Sequence, residues 1–516
     1  MSSTLNNRRI AKNTLFLYVR MILVMGVSLF TVRVTLGALG VANYGIYNVV
    51  GGFVAMFGII SGSLSAAIRR FLAFELEKKD FERLKLLFST SINIQIFISF
   101  IIFVLVEIVG VWFLNVKMNI DPTRMIAANW VLQLSILTFI VNLISVPYNA
   151  SVVAHERMKI FAYVGIIEVV LKLLIVYLLF ISSIDKLILY VFLLFLVSVT
   201  IRVIYGIYCK KHFEECSYHF SFDRGLFKEM LSFAGWNFIG ASSSVLKEQG
   251  VNIILNLFFG TVVNAARGIA VQINTAVNSF VQNFMTALNP QITKSFAANK
   301  KQYMLTLVQQ GTRFSFYLLL LLSLPVIIDT HYVLSVWLKV IPGHTVNFVR
   351  LILILAMSES LSGTLITAML ATGKIKKYQI IVGGLQIMNL PVSYLFLKLG
   401  GFPEGTMIIA IVISQCCLAA RLWLLRKMIG LSAKNYLRKV YLNVLFVSVL
   451  SFILPYLVFS SMEEGIIRLL TLASISIVST ATVIWFVGCT HKERSFVLNK
   501  VSGFINSKKA YNNSDC

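Results

Sequence analysis

Apolar residues along this chain fall into runs of about 20–28, separated by short polar and often basic stretches, while a bilayer-spanning helix needs about 20. The runs predict fourteen helices, near 13–36, 42–66, 86–113, 125–149, 160–181, 186–208, 231–258, 262–292, 313–338, 347–370, 378–397, 405–425, 440–459 and 465–488. Transmembrane β-strands would instead be about 10 residues long with alternating polarity, which this pattern does not offer. The first run is too long for the core of a signal peptide, and no small-residue cleavage site follows it. It is expected to stay in the protein.

Composition narrows the class further. Of 516 residues, 58% are hydrophobic and 13% charged, against about 45–50% and about 25% in soluble proteins. No polar stretch is long enough for a linker or an extramembrane domain. A soluble enzyme, a nucleic-acid-binding domain and a secreted disulfide scaffold are excluded. The expected fold class is an all-α polytopic membrane protein.

The net charge of +25 resembles a nucleic-acid signature only until it is sorted by segment. With a cytoplasmic N-terminus, 32 of the 46 Lys and Arg fall in cytoplasmic segments, five in outer loops and nine within spans. Basic residues concentrate on the cytoplasmic side of membrane proteins. Both termini are therefore expected in the cytoplasm, and the charge is mostly topological. It also suits anionic lipid headgroups as partners. The outer loops hold no more than about 12 residues. They cannot house the large extracytoplasmic catalytic domain of a membrane glycosyltransferase or polysaccharide polymerase. The chain thus reads as no enzyme and as needing no cofactor.

Six cysteines are all placed in the membrane or cytoplasm, so no disulfide is expected. Cys209, His212, Cys216 and His219 put four soft ligands within eleven residues. Zinc would accept that set, but the spacing matches no standard finger. The expected reading is an ordinary cytoplasmic loop.

Internal similarity points to two halves. The link Ala154-His155-Glu156-Arg157-Met158-Lys159-Ile160-Phe161 aligns with Ala371-Thr372-Gly373-Lys374-Ile375-Lys376-Lys377-Tyr378 at a shift of 217. The turn Val41-Ala42-Asn43-Tyr44-Gly45-Ile46 corresponds weakly to Val263-Asn264-Ala265-Ala266-Arg267-Gly268-Ile269. The expected organisation is an N-terminal lobe over 1–215, a C-terminal lobe over 216–435 in the same orientation, two extra helices over 436–490 and a basic tail over 491–516. Two such lobes facing each other make a cavity able to open to either side.

Fourteen spans in a 6 + 6 + 2 arrangement with short outer loops resemble the multidrug/oligosaccharidyl-lipid/polysaccharide exporter superfamily. Within it the resemblance is to bacterial flippases for O-antigen or capsular repeat units. It is carried by Ala67-Ile68-Arg69-Arg70-Phe71 with the following Glu-Lys-Lys-Asp-Phe-Glu-Arg-Leu, and by Gly373-Lys374-Ile375-Lys376. The resemblance implies translocation of an undecaprenyl-pyrophosphate-linked oligosaccharide across the bacterial cytoplasmic membrane by alternating access. It implies a lipid-linked oligosaccharide as substrate, with a polymerase and glycosyltransferases as partners in the pathway. The alternatives are a cation-coupled multidrug exporter of the same fold, a lipid II flippase or a non-transport scaffold. In the related lipid II flippases, arginines of the first, second and eighth spans line the central cavity. Arg20 and Arg267 fit the first and third of these places. The second has no counterpart, since Tyr44 and Asn48 stand there.

Ionisable groups at membrane depth are costly and usually face a cavity or a partner. In the eighth span Arg267, Asn274, Asn278, Gln282 and Asn289 fall within a stripe about 60° wide, taking about 100° per residue. An arginine leading a row of amides suits sugar hydroxyls beside an anion. Interhelical hydrogen bonding is the plainer reading. Substrate-binding candidates are Arg20, Lys247, Arg267, Asn274, Asn278 and Gln282. Asn237, Ser244 and Glu248 share one face of the seventh span. Glu168, Glu248 and Glu359 are candidates for proton or sodium binding. Glu168 and Lys172 stand one turn apart with Glu leading, the favoured order for an ion pair, and are read as structural. Arg202 and Arg421 are expected to snorkel to the cytoplasmic surface. Ser135, Thr138, Asn142, Ser145 and Asn149 in the fourth span are read as a packing stripe, with a break at Pro147. Gly26, Gly37, Gly40, Gly45, Gly51 and Gly52 make the first two spans either flexible or closely packed.

Overall fold

A computed structural model describes residues 23–78, 80–155, 157–219, 223–372, 376–491 and 493–495. Among these residues the chain is helical and holds no strand. The reason is physical: in hydrocarbon every backbone N–H and C=O must be satisfied within the segment, and a helix does this for long apolar runs.

The helices in chain order are α1 (Leu23–Leu39) and α2 (Val41–Ala55), α3 (Gly58–Lys78), α4 (Phe81–Val116), α5 (Pro122–Ala154), α6 (Met158–Ile181) and α7 (Lys186–His212). There follow α8 (Arg224–Phe259), α9 (Thr261–Ala297), α10 (Lys301–Ile328), α11 (Thr330–Trp337) and α12 (Thr345–Ala371). The last four are α13 (Lys376–Lys398), α14 (Gly405–Ile429), α15 (Ala433–Ser461) and α16 (Ile466–Gly488).

Ten of the helices described are long and apolar enough to cross a membrane, or eleven if the bent pair α1–α2 is one span. Length and apolarity alone thus fall short of the fourteen expected. α8 and α9, at the seventh and eighth predicted spans, are absent from the ten. Both are long enough, at 36 and 37 residues, but carry Glu248, Gln249, Asn252, Asn256, Asn264, Arg267 and Gln272. A helix this polar is stable at membrane depth only if its polar face meets other protein or water.

Helix starts are set by short acidic caps. Asp80 accepts a hydrogen bond from the Arg83 amide, Asp185 from Leu187 and Ile188, and Asp223 from Gly225 and Leu226. Each satisfies amides that the first helical turn leaves without a carbonyl. Asp185 is also gripped by Arg124, at 2.6 and 3.1 Å, and this pairing holds its carboxyl below the usual carboxylate range. Two joints depend on glycine. Gly40, at φ 78°, sits at the 119° bend between α1 and α2, and Gly260, at φ 74°, joins α8 to α9. Left-handed backbone of this kind suits residues without a Cβ.

The expected break at Pro147 does not occur. α5 runs through it, and Ser151 Oγ donates to the Pro147 carbonyl at 3.1 Å. Pro147 removes only the ladder bond to the Leu143 carbonyl, a loss that a helix packed among others tolerates.

The described residues belong to two compact units. The first takes residues up to 273 with 335–348 and 383–413. The second takes 274–334, 349–382 and 414 onward. α9 thus contributes its first third to one unit and the rest to the other.

In the first unit the glycines divide by role. A Cβ on Gly45 would lie 1.9 Å from the Thr261 carbonyl oxygen, one on Gly52 2.7 Å from Gln249 Oε1, and one on Gly268 2.6 Å from Asn48 Oδ1. These close approaches press α2 against α8 and α9, as small residues do between membrane helices. Gly26 and Gly51 have nothing within 4 Å. Gly45→Ala therefore drives its methyl into backbone and is expected to cost about 1–3 kcal/mol. The thermal unfolding midpoint of detergent-purified protein should fall, while Gly26→Ala leaves it unchanged or higher. An unshifted Gly45→Ala midpoint would contradict the packing role.

Candidate functional site

The first unit encloses a cavity of ≈610 Å³ lined from α1, α2, α5, α6, α7, α8 and α9. Its volume is in the range of small-molecule sites, about 300–1,000 Å³. Its wall is unusual in polarity for a membrane helix bundle. Asn48, Asn142, Gln249, Asn252 and Gln272 supply amides, and Ser135, Thr138 and Ser198 supply hydroxyls. Its ionisable side chains are Glu168, Lys172, Glu248 and Arg267, with Tyr44, Tyr47 and Tyr190 as phenols.

Arg267 is fixed by the joint between α8 and α9. Its side chain is only 6% exposed. One terminal nitrogen donates to the Glu248 backbone carbonyl at 2.8 Å, and Nε has no hydrogen-bond partner. A guanidinium offers five donors in a fixed fork. Leaving a donor of a buried cation unused is costly.

An asparagine ladder sets the register that places Arg267 beside Glu248. Asn264 Nδ2 donates to the Asn252 carbonyl at 2.7 Å and to Asn252 Oδ1 at 2.9 Å. Asn256 Nδ2 donates to Asn264 Oδ1 at 3.1 Å, while the Asn119 amide donates to Asn256 Oδ1 at 3.0 Å. Asn252 Nδ2 reaches the Asn48 carbonyl of α2 at 3.2 Å. The three asparagines of α8 and α9 are all buried. Buried amides that satisfy one another specify one helix pairing, since any slip orphans several of them. Asn252 and Asn256 stand at i, i+4, a spacing visible in the sequence. Asn119, the partner of Asn256, lies in a loop 137 residues away and was not.

Lys172 Nζ lies 2.6 Å from Glu168 Oε1, and the two side chains are 43% and 39% exposed. The ion pair expected from the spacing forms. It also lines the cavity, which the structural reading did not anticipate. Likewise Ser135, Thr138 and Asn142, read as packing, face the cavity.

The other predicted residues fall elsewhere. Arg20, Asn237 and Ser244 lie outside the residues or side chains described. Lys247 is part-buried on α8 and is not in the cavity wall, whereas its neighbours Glu248 and Gln249 are. Asn274 and Asn278 belong to the second unit, hydrogen-bonded to each other at 2.8 Å, and Gln282 is exposed there. Asn289 Oδ1 accepts from Thr367. Glu359 is exposed on α12 of the same unit.

Arg421 does not snorkel. It is 4% exposed and donates to Ser362 Oγ at 2.9 Å. Arg202 lies 3.8 Å over the Tyr148 ring. Asp329 and Arg468 form a buried two-pronged pair at 2.9 Å on each bond. In the Cys/His loop, Cys209 Sγ donates to the Tyr148 carbonyl at 3.6 Å and packs with Cys216 in an apolar cluster. His212 Nδ1 bonds the Tyr208 carbonyl at 2.9 Å. Among the described residues no three His, Cys, Asp or Glu are grouped to hold a metal ion.

Comparison with known proteins adds a family. Residues 10–296 match the family model described as polysaccharide biosynthesis protein. No curated protein matches the chain. Among solved structures, the lipid II flippase MurJ in an inward closed conformation is similar with a TM-score of 0.70. It is 13% identical over 92% of this chain and 98% of that one. An inward-facing multidrug resistance MATE family transporter of the MOP superfamily is similar at 0.63, with 14% identity over 79% of this chain and 96% of that one. A MOP superfamily transporter from Pyrococcus furiosus, described as having a binding pocket of reversed polarity, is similar at 0.53, with 14% identity over 81% and 96%. At these identities the likeness is one of fold.

Proposed function

This chain belongs to the polysaccharide biosynthesis protein family, with the fold of the MOP-superfamily transporters, and from that premise we propose that it flips undecaprenyl-pyrophosphate-linked oligosaccharide repeat units across the bacterial cytoplasmic membrane. The product feeds O-antigen or capsular polysaccharide assembly, where a polymerase and glycosyltransferases are the expected neighbours. Both termini face the cytoplasm in this reading, which follows from the 32 basic residues on that side.

The observation that carries the proposal is Arg267, a buried cation with an unpartnered Nε in the wall of a cavity that also presents five side-chain amides and several hydroxyls. A pyrophosphate diester is an anion with acceptors on every side, and a guanidinium meets two of them at once. Sugars offer hydroxyls, which amides bind as donors and acceptors together. Asn48, Asn142, Gln249, Asn252 and Gln272 supply them beside the cation. Asn274, Asn278 and Gln282, which belong to the second unit, are proposed as further sugar contacts, and Arg20 and Lys247 as further cations. The polyprenyl tail stays in lipid.

Transport proceeds by alternating access between the lobes 1–215 and 216–435. Glu168, Glu248 and Glu359 are the proposed sites of ion coupling. A cationic drug is a poor match for this cavity, whose two acids are balanced by two bases. Lipid II is a poorer match than a repeat unit because Tyr44 and Asn48 replace the second-span arginine that the resemblance would require.

The test is genetic and chemical. Deletion of the gene should abolish surface polysaccharide and accumulate undecaprenyl-linked repeat units on the cytoplasmic side, and the wild-type chain should restore export. Normal surface glycan in the deletion strain, with no redundant transporter present, would overturn the proposal.

A further inference from the structure

Two acidic and two basic side chains line the cavity, and they do so unequally. Arg267 is buried with an unused donor, so it stands ready for an anion. Lys172 is the second cation, but Glu168 already occupies it at 2.6 Å. Glu248 presents its backbone carbonyl to Arg267 and leaves its own carboxylate exposed.

We propose that Lys172 is a latent half of the anion site, masked by Glu168, and that an entering pyrophosphate displaces the Glu168 carboxylate from it. This rests on the proposed function above and deepens it. In the empty cavity the inventory is two positive and two negative charges, a neutral wall that costs little at membrane depth. An arriving dianion needs both cations. Arg267 provides a fork of donors, and Lys172 provides a mobile point charge on a flexible stem. The pair is about 40% exposed on each side, so exchanging one partner for another is cheap.

The displaced carboxylate then faces an anion where it had a cation. Its affinity for a proton rises, because a like charge nearby disfavours ionisation. No bond to carbon or phosphorus changes in this step: Lys172 keeps its three protons, and Glu168 takes one from the buffered solution. The groups that share the cavity wall with Glu168 are Lys172 on its own helix, Glu248 of α8, Arg267 of α9 and the neutral Ser135, Thr138, Asn142 and Ser198 of α5 and α7. Tyr44, Tyr47 and Tyr190 add phenols to the same wall. By reciprocity, protons must then strengthen anion binding as much as the anion strengthens proton binding. A lipid-linked sugar is a pyrophosphate diester whose charge is fixed across this pH range, so the sensitivity has to come from the protein. On release the Glu168–Lys172 pair closes again, and the empty cavity is neutral.

The experiment uses full-length protein in nanodiscs and a dialkyl pyrophosphate diester as the probe. Wild type should bind it more tightly at pH 5.5 than at pH 8, taking up protons as shown by titration calorimetry in buffers of different ionisation enthalpy. Glu168→Gln should bind about two- to fivefold more tightly than wild type at pH 8, the scale of a half-exposed ion pair, and should lose most of the pH dependence. Glu248→Gln separates exchange from a general loss of negative charge: it should keep the pH dependence. Adding Lys172→Gln to Glu168→Gln should remove the gain. If wild type binds without proton uptake, or if Glu168→Gln binds no more tightly at pH 8, the exchange is wrong while the anion site stands. If neither protein binds the probe, the exchange and the anionic substrate fall together.

Discussion

Arg267→Ala should lose most polysaccharide export while the protein reaches the membrane at its normal level. The expected loss is about 10- to 100-fold, the scale of one charge-assisted hydrogen bond to an anion at about 1.5–3 kcal/mol. Arg267→Lys should keep part of the activity, because it retains the charge and loses the fork. The measurement is surface glycan per unit of membrane-inserted protein in a deletion strain. A packing residue would give a different result, with protein level and export falling together. Normal export by a stable Arg267→Glu protein would sink the role, since a carboxylate there repels the anion.

The largest stability effect should come from Asp329→Ala. Asp329 joins the end of α10 to α16 through Arg468, and both side chains are under a tenth exposed. Glu464 approaches Arg468 only to 3.9 Å, and the Phe459 ring lies 4.8 Å from the guanidinium. Removing Asp329 leaves a buried cation without its bidentate partner, which costs about 3–5 kcal/mol. The unfolding midpoint in detergent and the level of inserted protein should both drop. Replacing both partners, Asp329→Leu with Arg468→Met, should recover most of the loss because no charge is then stranded. A double variant as unstable as Asp329→Ala would show that the pair does more than neutralise itself.

How much of this was legible beforehand differs residue by residue. The Glu168–Lys172 pair follows from i, i+4 spacing, a property of one helix, and it forms at 2.6 Å. That it faces a cavity does not follow, because the direction a helix turns its face depends on what packs against it. The same limit explains Ser135, Thr138 and Asn142, a stripe correct as a stripe and misread as packing. For Arg421 the sequence places a cation near a helix end, where snorkelling is the default. The fold instead supplies Ser362, 59 residues away, and buries the charge.

What the sequence determined by itself is set by solvent and local geometry. Runs of about 20 apolar residues have one stable form in hydrocarbon, a helix, and the polysaccharide biosynthesis family is matched over residues 10–296. The tertiary structure alone decided which polar residues share a space. Arg267 gains Glu248, Asn48 and Lys172 as company only because α2 closes on α8 and α9 through Gly45, Gly52 and Gly268, and the Asn252–Asn264–Asn256 ladder locks that approach. Such contacts join residues from about 10 to more than 200 positions apart. A periodic pattern along one helix carries no information about them, because periodicity fixes a face and only packing gives that face a partner.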